Sequence, residues 1–253
     1  MTQLRQSMSL TLPTASPVAF EIEAGLFSSP PHDTIHTSFA PLHYESGYSY
    51  PLLVWLHGPM CDERQLLRIM PLVSMRNYVA VAPRGVQIPS AGANNAGEED
   101  AYGWPDDEES IQAAEQRVFD SIDLTFRRFN VDSRRVFLAG CDTGGTMAFR
   151  VAMNHPYKFA GVLSLGGAFP TGRAPLSRLP EARQLPVFLA SGRHSTVYGE
   201  RVICDDLRLL HTAGVSITLR LYPCGHEISS VMLSDVDRWI IEQITAAKAA
   251  ESA

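Results

Sequence analysis

The sequence of 253 residues predicts an α/β fold, with a mostly parallel central sheet of about eight strands and helices on both faces. Two observations support this. Short apolar runs recur along the chain, as expected for strands that are buried on both faces. Longer stretches with apolar residues at helical spacing alternate with them. No linker-like stretch divides the chain, so we expect a single domain over residues 1–253, with residues 1–17 as a poorly ordered extension.

Eight runs are the expected strands, and the first two suggest an antiparallel start to the sheet. They cover residues 18–23, 34–39, 51–56, 78–82, 136–139, 161–165, 187–190 and 215–221. The expected helices cover residues 63–75, 109–129, 144–153, 200–213 and 230–246. Ligands of such sheets bind where the strands end, so the loops at that edge are the first place to look for a site.

Residues 85–107 form the longest irregular segment and are expected to be a surface loop, because they are rich in Asn, Gly, Ala and acidic residues. The acidic clusters at 98–100 and 106–109 suggest a solvated loop that leads into a helix N-terminus, where carboxylates are favourable. This interpretation is preferred to a metal site.

Composition narrows the classes of function. A formal net charge of −6 argues against nucleic acid or an anionic membrane as a partner. No segment is long and apolar enough to span a membrane, and the N-terminus lacks the apolar core of a secretory signal. The four cysteines have no metal-type spacing, which favours reduced thiols in a cytoplasmic protein. A disulfide between Cys61 and Cys224 is the alternative.

The most informative stretch is Gly140-Cys-Asp142-Thr-Gly-Gly145, which lies between a buried apolar run and a helical pattern. Small residues on both sides let the chain turn sharply, so the central side chain should stand on a strained tip above the sheet. That central residue is Asp142. We call residues 140–145 the elbow.

Four stretches together resemble the carboxylesterase/phospholipase branch of the α/β-hydrolases, from about residue 51 to the C-terminus. They are the elbow, the loop at 56–60, the pair of stretches 82–85 and 102–104, and the loop at 222–228. Their order and spacing carry the resemblance, which implies an α/β-hydrolase fold and a small-molecule, ester-like substrate without a cofactor. The connection at 166–186 is short, so we expect no large cap domain.

The resemblance also assigns residues to roles. The central elbow residue of ester-cleaving relatives is a serine, and here it is Asp142. His226 matches the catalytic histidine, and Ser195 holds the position of the acid. The serine and the acid have therefore exchanged places, and we expect His226 within hydrogen-bond reach of Asp142.

The oxyanion hole departs from the same pattern. One expected donor is the amide of Thr143, and the other would be the amide after His-Gly58, which is Pro59 and has no N–H. The amide of Met60 is the possible substitute. We call residues 56–60 the oxyanion loop.

Three aromatic residues, Tyr102, Trp104 and Phe169, are candidates for the pocket walls, although burial in the core is the commoner role for such residues.

Three functional hypotheses follow. In the first, the chain has lost ester hydrolysis and serves as a binding or scaffold protein. In the second, Asp142 is a nucleophile towards an alkyl carbon, as the elbow Asp of the similar haloalkane dehalogenases and epoxide hydrolases is. In the third, water activated by Asp142 and His226 supports residual ester hydrolysis.

Overall fold

The computed structural model describes residues 34–89 and 101–251. The strands in these residues are β1 (His36–Phe39), β2 (Tyr50–Leu56), β3 (Val79–Pro83), β4 (Val86–Ile88), β5 (Ala101–Gly103), β6 (Val131–Cys141), β7 (Gly161–Leu165), β8 (Val187–Gly192) and β9 (Ile217–Tyr222). The helices are α1 (Gln65–Val73), α2 (Glu108–Arg128), α3 (Thr143–Asn154), α4 (Leu179–Ala182), α5 (Glu200–Ala213) and α6 (Ser230–Glu251), and a short 3₁₀ turn spans Pro156–Lys158.

Seven strands form the main sheet in the order β1-β3-β2-β6-β7-β8-β9. β1 pairs antiparallel with β3, and every other neighbouring pair is parallel. The mostly parallel sheet with an antiparallel start is therefore confirmed. The other expected strand, at 18–23, lies outside the described residues, as do residues 1–17.

The strands send alternate side chains into two apolar layers. From β2, Leu52 and Val54 pack in a layer with residues of α2, α3 and α5, whereas Leu53 and Trp55 pack in a layer with residues of α1 and α6. Because both faces are covered by helices, the central strands carry almost no polar residues. This is why they could be recognised in the sequence as continuous apolar runs.

The described parts of the segment 85–107 are more regular than the sequence predicts, whereas residues 90–100, with the acidic cluster at 98–100, lie outside the described residues. β4 and β5 pair antiparallel, with Val86 opposite Gly103 and Ile88 opposite Ala101. The loop prediction was wrong for these residues because three-residue strands are too short to show a period. The acidic cluster at 106–109 does start a helix, since the Asp107 carboxylate accepts a hydrogen bond from the Ser110 amide at 2.9 Å.

The last helix is longer than expected. α6 runs to Glu251, beyond the predicted end at 246. The added residues are mostly alanine, which has the highest intrinsic helix propensity, so the apolar pattern alone underestimated the helix.

The candidate site lies at the carboxyl ends of the parallel strands. The chain leaves β6, β8 and β9 at this common edge of the sheet, which brings the elbow and the loops at 195 and 226 together.

Candidate active site

Asp142 forms the tip of the turn between β6 and α3, with φ of 51° and ψ of −121°. This conformation is strained for a residue with a side chain, as expected for the elbow. The turn is tight because glycines flank it: a Cβ on Gly140 would lie 2.3 Å from the Gly144 carbonyl oxygen, and one on Gly144 would lie 2.4 Å from that of His57. The Asp142 amide donates to the Leu165 carbonyl at 2.9 Å, which ties the tip to the end of β7.

His226 lies on the loop after β9, and its Nε2 is 2.9 Å from Oδ2 of Asp142. Two glycines make room for this loop. A Cβ on Gly192, at the end of β8, would lie only 1.8 Å from the Gly225 carbonyl oxygen. A Cβ on Gly166 would lie 3.2 Å from Cε1 of the His226 ring. The contact between His226 and Asp142 that the sequence predicts is therefore present.

Ser195 lies on the loop after β8, on the other side of the imidazole. Its Oγ is 2.8 Å from Nδ1 of His226, and it also accepts a hydrogen bond from the Tyr198 amide at 3.0 Å. Ser195 is only 7% exposed. The structure thus joins all three residues in one hydrogen-bonded row, with Asp142 at the elbow end and Ser195 at the buried end.

The row limits where the protons of the imidazole can be. An ionised Asp142 carboxylate only accepts hydrogen bonds, so Nε2 of His226 must carry the proton that is shared with it. Nδ1 then either accepts the Ser195 hydroxyl proton in the neutral ring or donates to Ser195 Oγ in the imidazolium. In both forms Nε2 has no free lone pair, so this nitrogen, which faces the elbow, cannot remove a proton from another group while Asp142 is ionised.

The oxyanion loop makes a tight turn before α1. The Gly58 amide donates to Gln65 Oε1 at 3.2 Å, so it is already used within the protein. Pro59 has no N–H, and Met60 has a left-handed φ of 58° with an exposed side chain. Thr143 is exposed at the first position of α3, next to the tip of the elbow.

The ring of His57, which is part of the oxyanion loop, fixes the loop through two hydrogen bonds. Its Nε2 accepts a hydrogen bond from the Gly85 amide at 2.9 Å, so Nδ1 carries the proton and donates to the Gly58 carbonyl at 2.8 Å. Burial lowers the pKa of His57, which agrees with this neutral form. The Trp104 indole N–H donates to the His57 carbonyl at 2.8 Å. His57 therefore has a structural role in holding the loop.

A largely buried ion pair between Glu63 and Arg84 was not predicted from the sequence. Arg84 Nε and Nη2 donate to the two carboxylate oxygens of Glu63 at 2.6 and 2.7 Å, and the guanidinium lies 4.7 Å from the Tyr102 ring centre. Burial alone would raise the pKa of Glu63, but the hydrogen bonds and charge of Arg84, together with a backbone hydrogen bond and the charge of Arg64, lower it overall. Strand order could have predicted this pair. β2 and β3 are parallel neighbours, so Glu63, which follows β2, and Arg84, which follows β3, come to the same edge of the sheet.

The three aromatic candidates for the pocket lie in different surroundings. Tyr102 packs on Arg84, and Trp104 is buried against the oxyanion loop. Phe169 is buried in the core, and its amide donates to Oδ2 of Asp206 at 2.8 Å. A role for these side chains in a pocket stays a prediction.

A void of about 10 Å³ lies beside the ring of His226, between the ends of β6, β7 and β8 and the start of α6. Its volume is about that of one water molecule. The Cys141 side chain lines this void, and burial raises the pKa of its thiol to about 12, so the thiol is a poor nucleophile at neutral pH. All four cysteines are free, so the alternative disulfide between Cys61 and Cys224 is not present.

Among residues 34–89 and 101–251, no three His, Cys, Asp or Glu side chains are grouped as metal ligands would be. No helix in these residues is long and apolar enough to cross a membrane.

Residues 48–244 match the family model that is described as phospholipase/carboxylesterase. This match covers more than half of the chain, and it includes the elbow and the loops of Ser195 and His226. The chain belongs to the phospholipase/carboxylesterase family.

Solved structures with the same fold include a carboxylesterase. The structure of SOBER1 from Arabidopsis thaliana has a TM-score of 0.64 and 22% identity, and the match covers 78% of this chain and all of that one. A carboxylesterase from Bacillus cereus has a TM-score of 0.63 and 17% identity, with 83% of this chain and 94% of that one covered. A structure of YahD with malic acid has a TM-score of 0.63 and 16% identity, with 83% and 99% covered. The α/β-hydrolase fold of this family member is thereby confirmed.

Proposed function

We propose that this family member does not hydrolyse esters through a serine acyl-enzyme, and that it has become a binding or scaffold protein for a small ester-like molecule. The observation that carries the proposal is the row Asp142–His226–Ser195, in which the hydroxyl lies on the buried side of the imidazole. An acyl-transfer nucleophile must instead stand at the elbow, where the substrate carbonyl arrives.

The row also lacks the acid that a serine hydrolase needs. A carboxylate at Nδ1 stabilises the imidazolium that forms when histidine takes the nucleophile's proton. Here Nδ1 meets the neutral hydroxyl of Ser195, while the carboxylate of Asp142 holds the proton on Nε2. In this arrangement Nε2 of His226 already carries a proton and does not act as a base at the elbow.

The oxyanion loop supports the same proposal. Pro59 offers no amide, and the amide of Gly58 is bonded to Gln65, so the loop lacks the donor that the resemblance places after Gly58. Loss of one oxyanion-hole donor costs roughly 3 kcal/mol of transition-state stabilisation. Esters that reach the elbow would thus be bound without efficient turnover.

We also propose a compartment and a class of partner for the protein. The free thiols fit a reducing compartment, so we assign it to the cytoplasm. The solved structure of YahD contains malic acid, which supports a small molecule as the partner. The net charge of −6 argues against nucleic acid.

The test is turnover of 4-nitrophenyl acetate and butyrate by the wild type and by His226→Ala. We expect both proteins to hydrolyse the esters little faster than buffer. Robust turnover by the wild type that is lost in His226→Ala would overturn the proposal, and it would point to residual hydrolysis by water that Asp142 and His226 activate.

A second candidate is hydrolysis at an alkyl carbon, which the accessible position of the Asp142 carboxylate at the elbow favours. A carboxylate oxygen of Asp142 would form a bond to an epoxide carbon as the carbon–oxygen bond of the ring breaks, and the alkoxide would take the proton from His226 Nε2. This step requires His226 to start as the imidazolium, so that the ring left after transfer is neutral and keeps its proton on Nδ1, hydrogen-bonded to Ser195 Oγ. Nε2 would then take a proton from the water that cleaves the ester, which restores the imidazolium and the Asp142 carboxylate. The short connection after β7, which holds only the four-residue helix α4, argues against this candidate.

Intact-mass measurement tests the second candidate. Incubation with small epoxides or haloalkanes should leave a mass increase on the peptide that contains Asp142, and the adduct should accumulate in His226→Ala. If neither form gains mass across a broad panel, alkyl hydrolysis is rejected.

A further inference from the structure

A groove of about 340 Å³ lies between α2, α3 and the loop after β7. It shares no lining residue with the void beside His226. Arg150 and Arg173 both line it, together with the amide side chains of Gln112 and Asn154. We call it the anion groove. Its volume is within the range of small-molecule sites.

Arg150 is a buried cation with too few partners. Its side chain is only 4% exposed, and Nη2 contacts the Thr171 carbonyl at 2.9 Å and the Asp106 carboxylate at 2.5 Å. Its Nε has no hydrogen-bond partner among the described residues. A buried guanidinium with an unsatisfied donor is costly, and an anion in the groove would offset that cost through the charge of Arg150, since Nε itself is not exposed to the groove.

The carboxylates that face the two arginines come from the surface. Asp106, at Arg150, is 61% exposed, and Glu108, which pairs with Arg173 at 3.2 Å, is 75% exposed. The pair of Arg173 and Glu108 is exposed on both sides and contributes little to stability, so an anion in the groove can replace Glu108 at small cost. Glu115, the other acid in the lining, is held by His155 at 2.7 Å.

We propose that the anion groove binds a small, soluble organic molecule through a carboxylate or phosphate group. Arg150 and Arg173 bind its oxygens, because a guanidinium presents paired donors that match these groups. Gln112 and Asn154 offer amide donors and acceptors to the neutral part of the ligand. Arg150 lies eight residues after Asp142, about 12 Å along the axis of α3, so this site is separate from the elbow.

Isothermal titration calorimetry with malonate and with inorganic phosphate tests the proposal. We expect saturable binding of at least one probe to the wild type. Arg173→Gln should weaken it about tenfold, since it removes a charged donor. Glu108→Gln should tighten it about threefold, since the carboxylate that competes for Arg173 is gone. Arg173 is 43% exposed, so its replacement should leave the fold intact.

The exposed pair Asp205–Arg208 on α5 supplies matched controls. Arg208→Gln and Asp205→Asn change the net charge as the test variants do, but they should leave both affinities unchanged. Equal changes in the controls would reduce the effect to general electrostatics, and absence of saturable binding or an unaffected Arg173→Gln would overturn the proposal outright. Co-sedimentation with phosphatidylglycerol vesicles that depends on Arg173 would overturn the assignment to a soluble ligand.

Discussion

Nε2 of His226 is hydrogen-bonded to a carboxylate oxygen of Asp142 at 2.9 Å, on the side of the ring where the resemblance to esterases would place an alcohol. The distance is that of a catalytic hydrogen bond between a nucleophile and its histidine, but the group at the elbow is a carboxylate and not an alcohol. A serine there would give its proton to the ring, whereas an aspartate holds a proton on the ring. Under the proposed function, this row keeps the positions of a triad while the functional groups at its two ends differ from the esterase pattern.

The close approach of α3 to the oxyanion loop should make Gly144 indispensable. A Cβ on this residue would lie 2.4 Å from the carbonyl oxygens of both Leu56 and His57, which are backbone atoms that cannot move aside. We expect Gly144→Ala to lower the free energy of unfolding by about 3 kcal/mol or to prevent folding, as measured by urea denaturation. Gly47→Ala is the control, because nothing lies within 4 Å of its added Cβ, and a similar loss there would contradict the explanation.

The ion pair between Glu63 and Arg84 should be important for the stability of the protein. Glu63→Gln keeps one acceptor but leaves the Arg84 charge largely buried and uncompensated, so we expect a loss of about 3 kcal/mol in urea denaturation at pH 7. Asp205→Asn, in the exposed pair with Arg208, should cost less than about 0.5 kcal/mol.

The same variant has an expected pH dependence. The pKa of Glu63 is lowered in the folded protein, so its contribution is present above the unfolded value of roughly 4.3 and is lost as the pH falls through the folded value. The gap between wild type and Glu63→Gln should therefore close in acid. If the difference in the free energy of unfolding between wild type and Glu63→Gln stays constant down to pH 3, the charge of Glu63 is not what stabilises the protein.

The fold could be predicted largely from the sequence because both faces of the sheet are covered. Residues such as Leu53 and Val54 are buried on opposite sides of β2, so the apolar run is unbroken and its length alone indicates a strand. β4 and β5 were missed because a three-residue strand has neither length nor period. The elbow could be located since only small residues fit at Gly140 and Gly144.

The site could be predicted only in part. The positions of Asp142, Ser195 and His226 follow from strand order, but the hydrogen bond from the Tyr198 amide to Ser195, three residues along the same loop, does not. The pair of Glu63 and Arg84 joins residues 21 apart across two strands, and no local pattern shows such a contact. The under-satisfied Nε of Arg150 is a property of packing, which a helical pattern does not reveal.

A buried carboxylate beside the Ser195 loop should destabilise the protein as the pH rises. Oδ2 of Asp206 accepts hydrogen bonds from the Tyr198 hydroxyl and the Phe169 amide, both at 2.8 Å, yet burial raises the pKa of Asp206. Between the unfolded pKa of roughly 3.9 and the raised folded value, the folded protein binds more protons than the unfolded chain, so stability falls with rising pH through that window.

Asp206→Asn keeps a carbonyl oxygen for both donors and removes the charge. We expect an unchanged or higher melting temperature at pH 7, with a weaker decline above about pH 4. Asp206→Ala leaves the hydroxyl and the amide without an acceptor and should lower the free energy of unfolding by about 2 kcal/mol. If Asp206→Asn is as damaging as Asp206→Ala, the ionised carboxylate is required and the prediction is wrong.

The proposed exchange of serine and acid predicts that restoring them will restore ester hydrolysis. Asp142→Ser places an alcohol on the Nε2 side of the His226 ring, and Ser195→Asp places a carboxylate on the Nδ1 side, where the Tyr198 amide already donates to residue 195. The double variant should hydrolyse 4-nitrophenyl acetate faster than either single variant, and by more than the product of their separate effects. This is expected because nucleophile and acid act through the same histidine and are not additive.

Adding Pro59→Leu to the double variant should raise kcat further, because leucine supplies the backbone N–H that proline lacks. An oxyanion donor is worth about a hundredfold in kcat, so a gain of that order is expected if no other amide fills the position. A much smaller gain would mean that the amide of Met60, which follows in a left-handed conformation, already serves as the donor. Adding His226→Ala to the triple variant should abolish the regained activity. A double variant that folds with the wild-type melting temperature but stays inert would show that the elbow is closed to esters, and it would refute the idea that only the functional groups of the row have changed.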